Sequence, residues 1–368
     1  MIDTLTALRF FAALGVFLHH SVSIIAYGNI GVAFFFVLSG FILTYNYHNK
    51  FEKINASNLK DFYLSRFARI YPVHALTLLI ALPISHYLKY NFTSFETFLN
   101  VFLLQSYYPN GQRTFSLNGV SWSISTEMFF YLVFPFLMYG VSKIKRKHLI
   151  LFSWIIIMVV AIYIPKKFNN PTYYDVGNWI TYVSPFYRIV DFINGMFLGI
   201  IFISIKSKST DKIVSKLLFS FLEIAPIVAM IVMHHKKMYY LNLTYALYYL
   251  PLIDVLIFAF AFQKGIISII IKQKLFVHFG EISYSMYMIH ALIMQYIAAF
   301  ISSNIYSLGN DVKSNVFRIF LLIVTLCVSH VMYKYFESPM RRVIKNYFSR
   351  NKEPIKMINT KQKKRAFN

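Results

Sequence analysis

Cysteine is almost missing from this chain of 368 residues. The single one, Cys327, lies in an apolar run, so no intrachain disulfide is available and the redox compartment is not legible from cysteine usage. Charge is scarce as well. Only 14% of residues are charged, against about 25% in a soluble globular domain, which excludes an ordinary water-soluble fold. Acidic residues are the scarcest, 14 against 37 basic ones, for a formal net charge of +23. In a soluble protein that excess would suggest nucleic acid. Here the basic residues sit between apolar spans, so the expected partners are membrane lipids and no nucleic acid. No internal repeat is visible, which argues against an inverted-repeat transporter. No loop reaches the roughly 50 residues of a small folded domain. The N-terminus has no basic n-region and no small-residue cleavage site, so the first apolar segment is expected to be retained.

What the chain has in quantity is apolar residues: 57% hydrophobic, 19% aromatic, and a mean hydropathy of +0.54. Ten segments are long enough to span a bilayer: roughly 4–25, 30–48, 70–89, 118–141, 148–164, 186–205, 216–233, 241–261, 283–303 and 316–335. A shorter run, Phe98 to Tyr108, reads as re-entrant or interfacial. The expected fold is all-α, a polytopic membrane helix bundle of about ten transmembrane helices over residues 1–340. A basic tail, 341–368, is expected to be disordered or to lie on the inner leaflet. Alternate loops differ in basic content, sixteen Lys and Arg on one side against seven on the other. That bias places the protein as multi-pass in a cell membrane with both termini cytoplasmic.

Polar residues within apolar spans are costly enough to suggest function. Segment one carries Arg9 and His20, eleven residues apart. At 100° per residue that is three turns plus about 20°, so both leave one face of the helix, about 16 Å apart along its axis. His19 lies about 80° off that line. The alternative is structural: Arg9 snorkels to headgroups and His20 bonds a neighbouring helix. In segment two, Ser39-Gly40 reads as a place where another helix comes close. Arg66 and Arg69, three apart, share a face if helical and could clamp phosphates, or be ordinary positive-inside charge. Segment four holds Ser123, Glu127 and Tyr131 at i, i+4 and i+8, one polar face around what reads as the only glutamate deep in a span. Pairing of Glu127 with His20 would orient the imidazole as in a Ser-His-Asp triad; pairing with a buried cation such as Arg9 is the alternative. Arg188 and Asp191, i and i+3, read as a self-contained ion pair. His290 lies about a third of the way into segment nine. Glu337, Pro339 and Arg341 look like a helix terminus on the inner leaflet.

Arg9 with His20, then FFFVLSGFI, RFARIYP, SWSISTEMFFYLVFP, YRIVDFINGMFLG, FGEISYSMYMIH and FESP, occur in that order from residue 9 to 339. Together they resemble the membrane-bound acyltransferase 3 family, O-acyltransferases that decorate bacterial surface polysaccharides, lipopolysaccharide O-antigen and some secreted small molecules. The resemblance implies a bundle of about ten helices using acyl-CoA, commonly acetyl-CoA, as cosubstrate, with no metal. It implies that Arg9 and His20 are essential, that the family's Arg-x-x-Arg falls on Arg66 and Arg69 beside Tyr71, and that its Trp-Ser-x-Ser-x-Glu falls on Trp122, Ser123, Ser125 and Glu127. Two departures stand out. Thr6-Ala7-Leu8-Arg9 replaces a common Asp-Gly-Leu-Arg, removing a possible partner for Arg9. Glu127-Met128 replaces a common Glu-Glu. Some members carry a C-terminal esterase-like domain; here any relay to one is expected to use a separate protein.

The mechanism these positions suggest has catalytic residues His20, Arg9 and Glu127, and a donor site at Arg66, Arg69 and Tyr71. His20 takes the proton of a hydroxyl on a glycan or glycolipid acceptor, or is itself acylated. Asn118, Trp122, Ser123 and His290 are the candidates for contacting substrate or the oxyanion. Two rivals come from other classes: a transporter or exporter of polysaccharide precursors in which Arg, His and Glu line the path, and a scaffold in which they only hold helices together.

Overall fold

The computed structural model describes residues 2–22, 25–88, 93–168, 177, 179–206, 213–235, 245–301 and 312–350. The described residues form helices and turns, with no strand among them. The long helices are α1 (Asp3–Val22), α2 (Ile25–Tyr47) and α3 (Ala56–Tyr87). After two short helices, α4 (Ser94–Val101) and α5 (Gly111–Thr114), come α6 (Trp122–Lys143), α7 (Lys147–Phe168) and α8 (Pro185–Lys206). Then follow α9 (Ile213–His235), α10 (Tyr245–Ala261), the short α11 (Ile266–Ile271) and α12 (Lys274–Ile301). The last are α13 (Val312–Met332) and α14 (Ser338–Arg350), joined by a π-helical turn at Tyr333–Glu337. Each of the ten expected apolar segments falls on one of the long helices. Seven helical stretches among the described residues are long and apolar enough to cross a membrane. This is an all-α polytopic bundle of a multi-pass membrane protein.

Local sequence sets several boundaries. α3 begins at Ala56, fourteen residues before the expected span, because Asn55 accepts a hydrogen bond from the Asn58 amide at 2.8 Å and caps it. Polar residues hid that first part from a hydropathy reading, and Arg66 and Arg69 are therefore helical. Thr93 and Glu96 form a capping box that starts α4, placing the expected short run 98–108 on α4 and a 3₁₀ turn, Gln105–Tyr107. The chain does not end its last helix at Pro339. Proline is tolerated in the first turn of a helix, and α14 resumes at Ser338 and runs to Arg350. Residues 341–350 are thus helical and not disordered, and 351–368 lie outside the described residues.

The seams are set by glycine. A Cβ on Gly195 of α8 would lie 1.9 Å from the Val37 carbonyl oxygen of α2. A Cβ on Gly40 of α2 would lie 2.0 Å from that of Phe192. The two helices touch backbone to backbone, as the Ser39-Gly40 pair leads one to expect. A Cβ on Gly280 of α12 would likewise lie 1.9 Å from the Thr6 carbonyl oxygen of α1. Around these contacts Phe36, Phe130 and Phe192 interlock, with Phe130 stacked on Phe192 at 4.9 Å and edge-on to Phe36 at 5.0 Å.

Three clusters of buried polar groups are paired across the helices. Arg188 and Asp191 pair at 2.9 Å, both fully enclosed, with the guanidinium 5.0 Å from the centre of the Phe36 ring. Asn194 donates to Asp254 at 2.6 Å and accepts from the Trp154 indole at 2.9 Å. Glu127 is not the only glutamate deep in a span. Glu223 of α9 is fully buried and accepts from the amides of Gly265, Ile267 and Ser268 at the start of α11. An isolated carboxylate in that place would be costly, and the four-way satisfaction with the Ser268 hydroxyl explains why it is tolerated.

Candidate active site

A cavity of about 150 Å³ lies among α1, α2, α3, α6 and α12. On α2 its lining runs from Val32 to Leu43, so it follows about 16 Å of helix and is long and narrow. Three guanidinium groups face it, Arg9 from α1 and Arg66 and Arg69 from α3; Glu127 of α6 supplies the carboxylate in its wall. None of the three arginines has a carboxylate within 4.0 Å among the described residues. Arg66 instead donates to Tyr47 at 3.3 Å and to Ser65 at 3.3 Å, and sits over the rings of Tyr47, Phe62 and Tyr131 at 5.7, 5.9 and 5.7 Å. Arg9 lies in the electrostatic field of Arg69, Glu337 and Glu127. Positive charge held in a narrow, mostly apolar enclosure is costly and favours an anion there.

Ser123, Glu127 and Tyr131 all line the cavity, as their i, i+4, i+8 spacing requires. Tyr131 donates to Glu127 at 2.6 Å, and Ser39 donates to the same carboxylate oxygen at 3.1 Å. Ser39 therefore belongs to the cavity wall as well as to the helix seam. The Ser123 hydroxyl shares a hydrogen bond with the Tyr287 hydroxyl at 2.7 Å and donates to the Val120 carbonyl at 3.0 Å.

His20 is not bonded to Glu127, contrary to the expected triad-like pair. Its Nδ1 lies 3.0 Å from the Val16 carbonyl oxygen and 3.0 Å from Nε2 of His290. Glu127 is engaged by the two hydroxyls, and Tyr287, which lines the cavity, has its ring 6.0 Å from that of His290. The cavity wall thus includes Arg9 but neither His20 nor His290. The His19 ring is tilted against that of His20, with ring centres 4.8 Å apart.

The remaining expected residues separate in space. His290 is buried with both nitrogens committed, Nδ1 to the carbonyls of Tyr287 and Met286 and Nε2 to His20, so it has no N–H to offer an oxyanion. Asn118 is buried and donates to the Met288 carbonyl at 2.9 Å. Trp122 is buried against Phe36, Phe115 and Tyr182. Neither Asn118 nor Trp122 lines the cavity, whereas Ser123 does. Tyr71 also lies outside the cavity wall: it stacks on Phe67 at 4.7 Å and donates to the Val101 carbonyl at 3.2 Å, tying α3 to α4. Two tyrosines not singled out in the sequence, Tyr284 and Tyr287, complete the wall from α12. Their i and i+3 spacing, with His290 three further on, was the available signal. Glu337 was read as a terminus residue paired with Arg341; it accepts from Ser285 at 2.6 Å, near Arg69 and Arg9. No group of three metal-ligating side chains occurs among the described residues.

Comparison with known proteins agrees in kind. Acyltransferase MdmB of Streptomyces mycarofaciens is 33% identical over 174 residues, 40% of this chain and 42% of that protein. Peptidoglycan O-acetyltransferase OatA of Listeria monocytogenes is 25% identical over 217 residues, 51% of this chain and 35% of that protein. An uncharacterized protein of Haemophilus influenzae is 30% identical over 151 residues, 38% of this chain and 61% of its own length. The chain therefore spans less than two thirds of each of these curated relatives. No solved structure matches it. The sequence profile described as "Acyltransferase domain" matches residues 2–334, nearly the whole length, and the chain belongs to the acyltransferase 3 family.

Proposed function

We propose that this protein transfers an acyl group, acetyl by preference, from acyl-CoA to a hydroxyl of a cell-surface polysaccharide or its lipid-linked precursor. The observation that carries the reading is the cavity itself: a narrow enclosure with three arginines, none with a close carboxylate partner among the described residues. That combination suits a phosphate-bearing cosubstrate with an extended arm. With both termini in the cytoplasm, the α3 end of the cavity faces the compartment where acyl-CoA is made. Arg66 and Arg69 hold its phosphates, and Arg341 and Lys345 of α14, which lie in the field of both, add positive charge at that end. The pantetheine arm runs past Arg9 along α1 and α2.

In the reaction the acceptor oxygen attacks the thioester carbonyl, His20 takes the hydroxyl proton, and the same proton goes to the departing sulfur of CoA. An ester and free CoA thiol are formed. The base contributes about 10²–10⁴-fold, and holding the two substrates together supplies much of the rest. The Ser123 and Tyr287 hydroxyls both line the cavity, and either can donate to the oxyanion once it gives up its present hydrogen bond. Because neither His20 nor His290 lines the cavity, transfer requires the wall beside Tyr287 to open toward them.

The transporter reading predicts that a glycolipid moves without covalent change. Mass spectrometry of surface glycans from cells with and without the gene separates the two. The enzyme predicts an acyl increment, removed by mild base, that is present only with the gene. Identical glycans in both strains would contradict it.

A further inference from the structure

We propose that His290 is the positioning partner of His20, taking the place that a carboxylate holds in a Ser-His-Asp triad. The inference rests on the reading of His20 as the base, and goes beyond it by fixing which nitrogen acts.

Nδ1 of His290 lies 2.7 Å from the Tyr287 carbonyl oxygen and 3.2 Å from that of Met286. Carbonyl oxygens only accept, so this nitrogen carries the hydrogen. A neutral imidazole has one N–H, and Nε2 of His290 therefore presents a lone pair. That lone pair faces Nδ1 of His20 at 3.0 Å. Two lone pairs cannot bond each other, so Nδ1 of His20 is the donor. The Val16 carbonyl, 3.0 Å from the same atom, demands the same assignment independently. His20 is thereby held as the Nδ1–H tautomer, its hydrogen shared between Val16 and His290, and Nε2 is left as its basic nitrogen.

The surroundings keep His290 in this orientation. It is buried, with the Phe17 ring at 6.4 Å and the Tyr287 ring at 6.0 Å. Its backbone partners lie one turn back on its own helix, so α12 sets the ring's direction. When His20 accepts a proton at Nε2 it becomes an imidazolium. Its Nδ1–H still donates to His290, whose lone pair stabilises the positive charge until the proton passes to the leaving sulfur. A neutral imidazole does this without a second buried charge, which in an apolar setting would be expensive. Glu127 is free of that task and stays in the cavity wall with Ser39 and Tyr131.

Two measurements test the proposal on the full-length protein in lipid nanodiscs. The first is nitrogen NMR of histidine-labelled protein, with His20→Ala used to assign the signal. His20 is expected as the Nδ1–H tautomer; a neutral His20 protonated at Nε2 would overturn the assignment. The second is kinetic. His290→Leu removes the acceptor and should lower kcat by about 10²-fold while leaving the acyl-CoA KM within about twofold. His290→Gln can set its amide oxygen near the lost Nε2 and should recover at least about tenfold of that loss. Equal losses in the two variants, or a KM that rises as kcat falls, would reduce His290 to packing. The outcomes remain distinguishable from failure of the enzyme reading. An Nδ1–H His20 in a protein that transfers nothing keeps the pairing and removes the chemistry; an active protein with an Nε2–H His20 does the reverse.

Discussion

Replacing Gly195 by alanine tests how the cavity is held in shape. The added Cβ would lie 1.9 Å from the Val37 carbonyl oxygen, 2.7 Å from its carbon and 3.0 Å from its Cα. Ordinary contact begins near 3.4 Å, so α2 and α8 must separate by about 1.5 Å at that point. All three obstructing atoms are backbone, so no side chain can swing away. Overpacking of this kind costs about 1–3 kcal/mol, and a rigid backbone seam belongs at the upper end. Functional loss should follow the structural one, because Phe35, Phe36 and Ser39 of α2 form one wall of the cavity. The matched control is Gly140→Ala in α6, where an added Cβ has nothing within 4 Å and alanine is the better helix former by about 0.5–1 kcal/mol. Thermal unfolding in detergent, read by the fraction eluting as monodisperse protein, should show a lowered midpoint for Gly195→Ala and an unchanged or raised one for Gly140→Ala. Equal midpoints for the two variants would refute the backbone-contact account of the seam.

Arg66→Ala and Arg69→Ala should each raise the acyl-CoA KM by about 10–100-fold, the equivalent of one charge-assisted hydrogen bond, with a smaller change in kcat. An unchanged KM would remove them from phosphate binding. At the start of α4, Glu96 is held below the usual carboxylate range, first by the hydrogen bond from the Thr93 hydroxyl and further by its amide and Arg113. A lowered pKa means that the ionised form is favoured by folding. Its stabilisation is complete above the ordinary value of about 4.3 and is lost as pH falls through the lowered one. Protection of the 93–116 amides, taken relative to their intrinsic exchange rates at each pH, should therefore fall at acid pH in the natural protein and lose that dependence in Glu96→Gln. A pH response that survives the substitution would contradict this.

Much of the fold was legible because helical periodicity and apolar length are local properties. The polar face of Ser123, Glu127 and Tyr131, the Arg188–Asp191 pair and the close approach at Gly40 all follow from spacing on single helices. The pairing of His20 was not legible, since its partner lies 270 positions away and two helix directions had to be known first. Glu127, the carboxylate that a triad-like pair would use, is instead satisfied by the hydroxyls of Ser39 and Tyr131. The first part of α3 escaped a hydropathy reading because its charged residues resemble a loop. Tyr71 illustrates the limit of a motif: it adjoins Arg69 in sequence, yet its ring turns to α4 rather than to the arginines' cavity.

The most direct test of the central claim uses purified protein in proteoliposomes, radiolabelled acetyl-CoA and a hydroxyl-bearing glycan acceptor. The natural protein should form an ester that mild base releases, and His20→Ala and Arg9→Ala should each abolish it while His19→Ala keeps much of it. Ester formation by His20→Ala at the natural rate, in a preparation folded as judged by its elution, would contradict the account.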